Sequence, residues 1–312
     1  MQHARPSVDV VIPFAGSETA LDRLLESLRR LELQPGDSVV VVDNTAGAEA
    51  RRPRSDERLR VLPATEQASS YYARNRGAAA GNAPWLLFLD ADVAPPDDLL
   101  ARYWAESIGD RTGVVAGGVA DEDEAVDGHG TIAARYAFLT ASQHQDNTLA
   151  GRFAYAQTSN CLVRRSAFEA IGGFTEGIRS GGDADLCFRL SEQGWALERR
   201  EDATVAHLGR ATVRTLLRQR VRHGSGTAWL AARYPGFGPP SFGDPGWRRA
   251  AGLAKWTCAS WAQAVRDVTR GDRDHALVAA IEPLTGVAFE IGQRLPNASP
   301  QPRHPGRRRR RP

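Results

Sequence analysis

Short apolar runs alternate with helical segments before residue 90, and this alternation limits the possible folds more than any other feature. The runs are apolar on both faces, as in strands of a parallel sheet that helices cover on each side. Leucines at helical spacing, Leu21 to Leu31, follow the first run and predict a helix that Pro35 and Gly36 end. A second helix is predicted at 69–80. We predict an α/β fold with a Rossmann-like, mixed but mostly parallel sheet. Its first strands are Val8–Ile12, Ser38–Val42, Leu59–Leu62 and Trp85–Leu89.

The rest of the chain mixes strand and helix patterns and then becomes helical. Strands are predicted at Val114–Val119, Asn160–Val163 and Val205–His207, and a helix near Thr131–Ser142. An acidic loop at Asp121–Asp127 follows the first of these strands, and a Pro/Gly loop at Pro235–Gly246 precedes a last pair of helices. One apolar stripe in that pair is predicted to pack on the main domain, with docking on a membrane surface as the alternative. The stripe consists of Ala254, Cys258, Trp261, Val265 and Val268.

Charge and cysteine usage exclude several classes of protein. Six of the 40 basic residues lie in 303–312 without an acid, so the rest of the chain has a net charge of −3. We predict a disordered Arg-rich tail at 299–312 and no nucleic-acid partner. Three cysteines without CxxC spacing indicate neither a disulfide framework nor a zinc site, which favours a cytoplasmic location. No uncharged apolar run approaches the ~18 residues of a membrane span. We therefore expect at most peripheral contact with the inner face of the membrane.

The usual phosphate-binding loops are absent from the sequence. Lys255 is the only lysine and is followed by Trp256, so a Walker A loop, which needs a Lys-Ser/Thr pair, is excluded. No GxGxxG motif follows the first predicted strand either. A phosphate-bearing ligand would therefore need another counter-charge.

A pair of aspartates could supply that counter-charge through a metal ion. Asp90 and Asp92 directly follow the very apolar strand Trp85–Leu89, and alternation places both side chains on one side of an extended chain. Two hard oxygen donors at the carboxyl end of a buried strand suit Mg²⁺ or Mn²⁺ shared with substrate phosphates.

A second acidic cluster precedes a helical pattern that Gly194 ends. The cluster contains Gly181 and Gly182, which allow close approach of a ligand to the backbone, followed by Asp183 and Asp185. A carboxylate there could act as a general base, or it could cap the helix that follows. The residues alone leave both interpretations open.

The order of these segments resembles family 2 glycosyltransferases of the GT-A fold. Seven pieces in the same order, over roughly residues 8–225, are more specific than any single motif. The pieces are Val10–Pro13, Val40–Asp43, Ala73–Gly77, Leu87–Asp92, Thr158–Asn160 before Arg164–Arg165, Gly172–Phe174 and Gly182–Leu190. Gly182 departs from the pattern, because the family commonly carries Glu at that position.

The resemblance implies a role for each matching residue. Pro13, Asp43, Arg74, Asp90 and Asp92 are expected to bind the nucleotide sugar, Asp92 and His207 the metal, and Asp183 is expected to be the catalytic base. Asn160, Asp185 and Arg222 are expected to serve the acceptor or a secondary function. It also implies a GT-A domain at 1–230, with a nucleotide-binding half at 8–112 and an acceptor half at 113–230, and a helical extension at 231–298.

The function implied is inverting transfer of a sugar from a nucleoside diphosphate sugar, with Mn²⁺ or Mg²⁺ at the diphosphate. The donor would be of the UDP, GDP or dTDP type, and the acceptor is open, including a lipid-linked or cell-envelope glycan precursor. Two alternatives remain at this point: a sugar nucleotidyltransferase and a catalytically silent binding module. A sugar nucleotidyltransferase would need a Gly-rich, basic loop after the first strand. Residues 14–19 contain one glycine and no basic residue.

Overall fold

A computed structural model describes residues 5–51, 54, 56–121, 130–141, 144–207, 212–238 and 246–299. Eight strands form one sheet in the order β3-β2-β1-β4-β7-β6-β8-β5. The acidic loop after residue 121, part of the Pro/Gly loop and the Arg-rich tail from residue 300 lie outside the described residues. The predicted α/β class with a mixed, mostly parallel sheet is confirmed.

The first half of the sheet is wholly parallel and follows the predicted alternation. Its strands are β1 (Val8–Phe14), β2 (Ser38–Asp43), β3 (Leu59–Pro63) and β4 (Trp85–Leu89). β1 pairs with both β2 and β4, and its side chains are almost all buried. Two helices connect the strands, α1 (Glu18–Leu28) and α2 (Ser70–Ala78). The prediction that Pro35 and Gly36 end the first helix was wrong, because α1 already ends at Leu28.

The second half of the sheet is mixed, with two strands antiparallel to the other strands. β7 (Asn160–Arg164) lies antiparallel between β4 and β6 (Thr112–Asp121), and β6 is parallel to β8 (Ala196–His207). The short β5 (Val93–Ala94) pairs antiparallel with the end of β8. The strand predicted at 205–207 is thus the end of a strand of 12 residues. Short helices connect this half: α3 (Leu99–Tyr103), α4 (Ile132–Leu139), α5 (Arg165–Ala170) and α6 (Gly182–Glu192).

Three long helices complete the chain: α7 (Val213–Arg233), α8 (Gly246–Thr269) and α9 (Arg273–Gly292). α9 packs against both α7 and α8 and also contacts α4. The domain boundary predicted at residue 230 falls within α7, and the division into domains stays a prediction. Among the described residues, α9 alone is long and apolar enough to cross a membrane. Length and composition by themselves do not make it a membrane span, because core helices of soluble proteins also have them.

The apolar stripe of α8 does not pack on the main domain, so that prediction was wrong. All five of its residues are exposed, and α8 is held by α9 through its other face. Helical periodicity reveals that one face of a helix is apolar, but it carries no information about what covers that face.

A glycine sets the close contact between α2 and the parallel strands. A Cβ on Gly77 would collide with the side chain of Val11 and lie 2.9 Å from Cγ2 of Val42. α2 therefore approaches β1 and β2 more closely than any side chain at position 77 would permit. This contact fixes the last turn of α2 on β1 and β2, and Arg74, one turn earlier, pairs with Asp90 at the end of β4.

We expect Gly77→Ala to lower the free energy of unfolding by about 1–3 kcal/mol, because overpacking against Val11 outweighs the gain in helix propensity. Gly252→Ala is the matched control, since nothing lies within 4 Å of a Cβ at this α8 position. The control should stabilise the protein by up to ~1 kcal/mol. Urea denaturation measures both, and equal stability of the two variants would contradict the packing described here.

Candidate active site

One large cavity lies at the edge of the sheet where the parallel strands end, and its volume is about 980 Å³. The loops after β1 and β4, the first turn of α6 and the helices α4, α7 and α9 all contribute to its walls. Of the residues selected from the sequence, Pro13, Arg74, Asp90, Asp92, Asp183, His207 and Arg222 line it.

Arg74 and Asp90 form an ion pair at the floor of the cavity. The Arg74 guanidinium is buried and lies 5.9 Å from the ring centroids of both Tyr71 and Phe174. Burial raises the pKa of Asp90, whereas the positive charge of Arg74 opposes that rise. Arg74 therefore holds a positive charge at the floor of the cavity, beside the Asp90 carboxylate. The cavity next to this charge has room for an anionic ligand.

Asp92, in the turn between β4 and β5, and His207, at the end of β8, come together. Nε2 of His207 lies 3.6 Å from Oδ2 of Asp92, and its Nδ1 lies 3.0 Å from Oδ1 of Asp121. Although burial disfavours the charged ring, the hydrogen bonds with Asp121 and Asp92 raise the pKa of His207 to about 9. Asp121 was not selected from the sequence, although it ends a strand in the same way as Asp90.

These groups fit a divalent cation. The Asp92 side chain is 49% exposed, so its carboxylate can reach a ligand in the cavity, and Asp121 orients the His207 ring as a carboxylate does for a metal-binding histidine. Oδ2 of Asp121 is buried without a hydrogen-bond partner among the described residues. Those residues contain no group of three or more His, Cys, Asp or Glu that could hold a metal, so a cation here would need ligands from substrate or water.

Asp183 lies in the first turn of α6, with its carboxylate on the cavity. One oxygen accepts a hydrogen bond from the backbone N–H of Ala184 at 3.0 Å. Burial raises the pKa of this carboxyl, and the Arg74 charge opposes the rise. The N-cap of α6 is Gly181, which has φ +84°, and Asp183 lies two residues after it. The interpretation of Asp183 as the helix cap, which the sequence left open, is therefore wrong.

The packing of Tyr71 accounts for Gly182. A Cβ at position 182 would lie 2.6 Å from Cε1 of Tyr71, so any other residue would displace the ring. Tyr71 stacks on Phe174 at 5.7 Å and lines the cavity beside Asp183. The ring thus occupies the space next to position 182 and forms part of the wall there.

Three selected residues do not reach the cavity. Asp43 is buried at the end of β2, where it accepts hydrogen bonds from the backbone N–H of Thr45 and from Arg51 at 2.7 Å. Asn160 is fully buried, accepts from the Tyr103 hydroxyl and donates to two backbone carbonyls, those of Gly118 and Ala203. Both residues thus hold neighbouring chain segments in place.

Asp185 is the third residue of this kind. It is fully buried, and its two oxygens accept from the hydroxyls of Thr175 and Tyr234 at 2.7 Å each. Arg189 and Arg233 add ion pairs at 2.9 and 3.2 Å. Asp185 therefore ties α6 to the end of α7 behind the wall of the cavity.

Other residues of the cavity were not selected from the sequence. Tyr71 and Tyr155 form aromatic parts of the wall, and Arg220 adds a cation from α7 beside Arg222. Nε of Arg74 and Oγ of Ser159 are buried without a hydrogen-bond partner among the described residues. Buried polar atoms without partners are costly, so their presence at the cavity indicates a polar ligand.

Comparison with known proteins confirms the resemblance to family 2 glycosyltransferases. Residues 9–172 match the family described as "Glycosyl transferase family 2". The pre-mycofactocin glycosyltransferase of Mycobacterium tuberculosis is 31% identical over 75% of this chain, which spans only 51% of that protein. The glycosyltransferase AglE of Haloferax volcanii is 28% identical over 75% of this chain and 77% of its own length.

A solved structure shares the fold. The mannosyltransferase PcManGT from Pyrobaculum calidifontis, in complex with GDP-Man and Mn²⁺, has a TM-score of 0.61 over 93% of this chain and 87% of that one. The two sequences are 16% identical, so the likeness concerns the fold alone.

Two neighbouring residues test which side chains support the fold and which face the cavity. Asn160→Ala should lower the free energy of unfolding by about 2–4 kcal/mol, because it leaves several buried polar groups unpaired. Ser159→Ala should change it by less than about 0.5 kcal/mol, since the Ser159 hydroxyl has no partner to lose. Chemical denaturation separates these outcomes, and equal effects would contradict the structural assignment of Asn160.

Proposed function

The chain belongs to glycosyl transferase family 2, and we propose that it transfers a sugar from a nucleoside diphosphate sugar to an acceptor hydroxyl with inversion at the anomeric carbon. One observation carries the proposal: Arg74, Asp92, His207 and Asp183 line a single cavity at the carboxyl edge of the sheet. The proposed reaction requires cations, side chains that could hold a metal and a carboxylate base, and these residues would supply them.

The donor would lie along the ends of β1 and β4. Pro13 and Phe14 line the cavity at the end of β1, next to Arg74 and Asp90. We propose that the nucleotide lies against this wall, with Asp43 acting from behind it by fixing the loop that contains Thr45. Arg220 and Arg222 of α7 line the same cavity and would attract the negative diphosphate.

Asp92 and His207 would hold Mn²⁺ or Mg²⁺ at the diphosphate. When bound, the cation neutralises negative charge that develops on the leaving diphosphate. Asp121 would keep the His207 ring oriented through its Nδ1 atom. The single lysine of the chain lies in α8. The cation held by Asp92 and His207, together with the arginines of the cavity, would therefore stabilise the negative charge of the leaving diphosphate.

Asp183 would remove the proton of the acceptor hydroxyl. Desolvation raises the pKa of its carboxyl, which makes it a stronger base than a fully exposed aspartate. Attack by that hydroxyl on the anomeric carbon, from the side opposite the diphosphate, gives inversion. The acceptor would lie between α4, α7 and α9, where Phe237 and Phe289 supply aromatic surface for a sugar or an apolar group.

Asp183→Asn tests the base directly. We expect turnover to fall by ~10²–10⁴-fold while donor binding is retained, because the amide cannot accept the proton. In the wild type, activity should rise with pH through an acid limb whose midpoint lies above 3.8, since the carboxylate form is active and burial raises the pKa of this group. Steady-state kinetics as a function of pH measures both effects.

Glu192→Gln is the matched control, because Glu192 is an exposed carboxylate at the other end of α6 that does not line the cavity. It should leave turnover within a few-fold of the wild type. Full turnover in Asp183→Asn, or an equal loss in Glu192→Gln, would reject Asp183 as the base.

A further inference from the structure

The exposed face of α8 is unusually apolar for a surface helix. Trp247, Val265 and Val268 are 69%, 66% and 65% exposed. They belong to a row spaced by alternating steps of three and four residues, which places its members on one face of the helix. The exposed row is Trp247, Ala251, Ala254, Cys258, Trp261, Val265 and Val268.

The opposite face of α8 is fixed on α9. Arg249 donates to both carboxylate oxygens of Glu290, at 2.8 and 2.7 Å, and Asp267 is buried. Nε1 of Trp261 donates to the carbonyl of Ala280 at 3.2 Å, so the exposed row is also attached to α9 at its edge. The apolar row is therefore held in place and faces away from the rest of the molecule.

Positive charge follows one flank of this row. Arg248, Lys255 and Arg266 are exposed and lie within about 20° of one another around the helix axis at 100° per residue, and Arg270 follows at the end of α8. The only acid of α8 is Asp267, and it is buried. Every exposed formal charge on α8 is therefore positive.

We propose that α8 docks on the surface of a bilayer that contains anionic lipid, with its axis in the plane of the interface. The apolar row would enter the boundary between head groups and acyl chains, and the basic flank would contact the lipid phosphates. Trp247 and Trp261 suit this position, because indole rings combine an apolar body with a polar N–H. Contact between the α8 helices of two copies would instead bring together surfaces that carry only positive charge.

Docking would also orient the cavity. α9, on which α8 packs, contributes Glu282 and Phe289 to the cavity wall. A bilayer at α8 would therefore be separated by α9 from one wall of the cavity.

Vesicle flotation of the full chain tests this proposal. Vesicles of phosphatidylcholine with 30% phosphatidylglycerol should capture the wild type, and pure phosphatidylcholine should capture much less, with binding falling as NaCl rises. Trp247→Gln/Val265→Gln/Val268→Gln should lower the partition coefficient at least tenfold. Lys255→Gln/Arg266→Gln should lower it roughly fivefold for each cation removed.

Arg23→Gln/Arg30→Gln, two exposed arginines at α1, is the matched control for lost charge and should float like the wild type. All variants keep the Arg-rich segment at 307–311, so attraction of that segment to lipid is constant across the series. Circular dichroism and donor binding should be unchanged in the triple variant, which separates lost docking from a misfolded protein and from any failure of the proposed sugar transfer.

Two results would overturn the proposal. One is equal flotation of the triple variant and the wild type, which would attribute binding to charge elsewhere in the chain. The other is a wild type that does not float but is a dimer by light scattering, with the triple variant monomeric, which would make the row an interface between copies.

Discussion

The antiparallel insertion of β7 between β4 and β6 is the constraint on which the site depends. Because β7 runs against both neighbours, β6 and β8 point the same way as β1 to β4. The carboxyl ends of six strands therefore meet at one edge of the sheet, where ligands bind in open α/β sheets. Asp92, Asp121 and His207 reach the same place from three parts of the chain.

Asn160 holds this arrangement together at the first residue of β7. Its amide donates to carbonyls of β6 and β8, and its oxygen accepts from Tyr103 of α3. One buried side chain of β7 thus satisfies polar groups from three other elements beside the cavity. The cost of burying an amide is repaid only because all of its hydrogen-bonding groups have partners.

The sequence predicted most of the strands, and seven of the ten residues selected as site residues line the cavity, because both follow local rules. Asp90 and Asp92 follow a buried apolar run, and His207 ends another. The same rule applied to Val114–Val119 would have found Asp121. Asp185 and Asn160 could not be told from site residues, since their partners come from distant segments, such as Tyr234 for Asp185 and Ala203 for Asn160. The α8 stripe shows the same limit, because periodicity identifies an apolar face and not its partner.

The central claim is that the cavity at the end of β4 binds a nucleoside diphosphate together with a divalent cation. A thermal-shift panel of UDP, GDP, dTDP and CDP, each with and without Mn²⁺, on the wild type and Asp92→Ala tests it most directly. At 100 times Kd, one nucleotide should stabilise the wild type by ~2.7 kcal/mol, a shift of several degrees, only when Mn²⁺ is present. Asp92→Ala should abolish that shift, whereas no shift with any nucleotide in the folded wild type would contradict the claim.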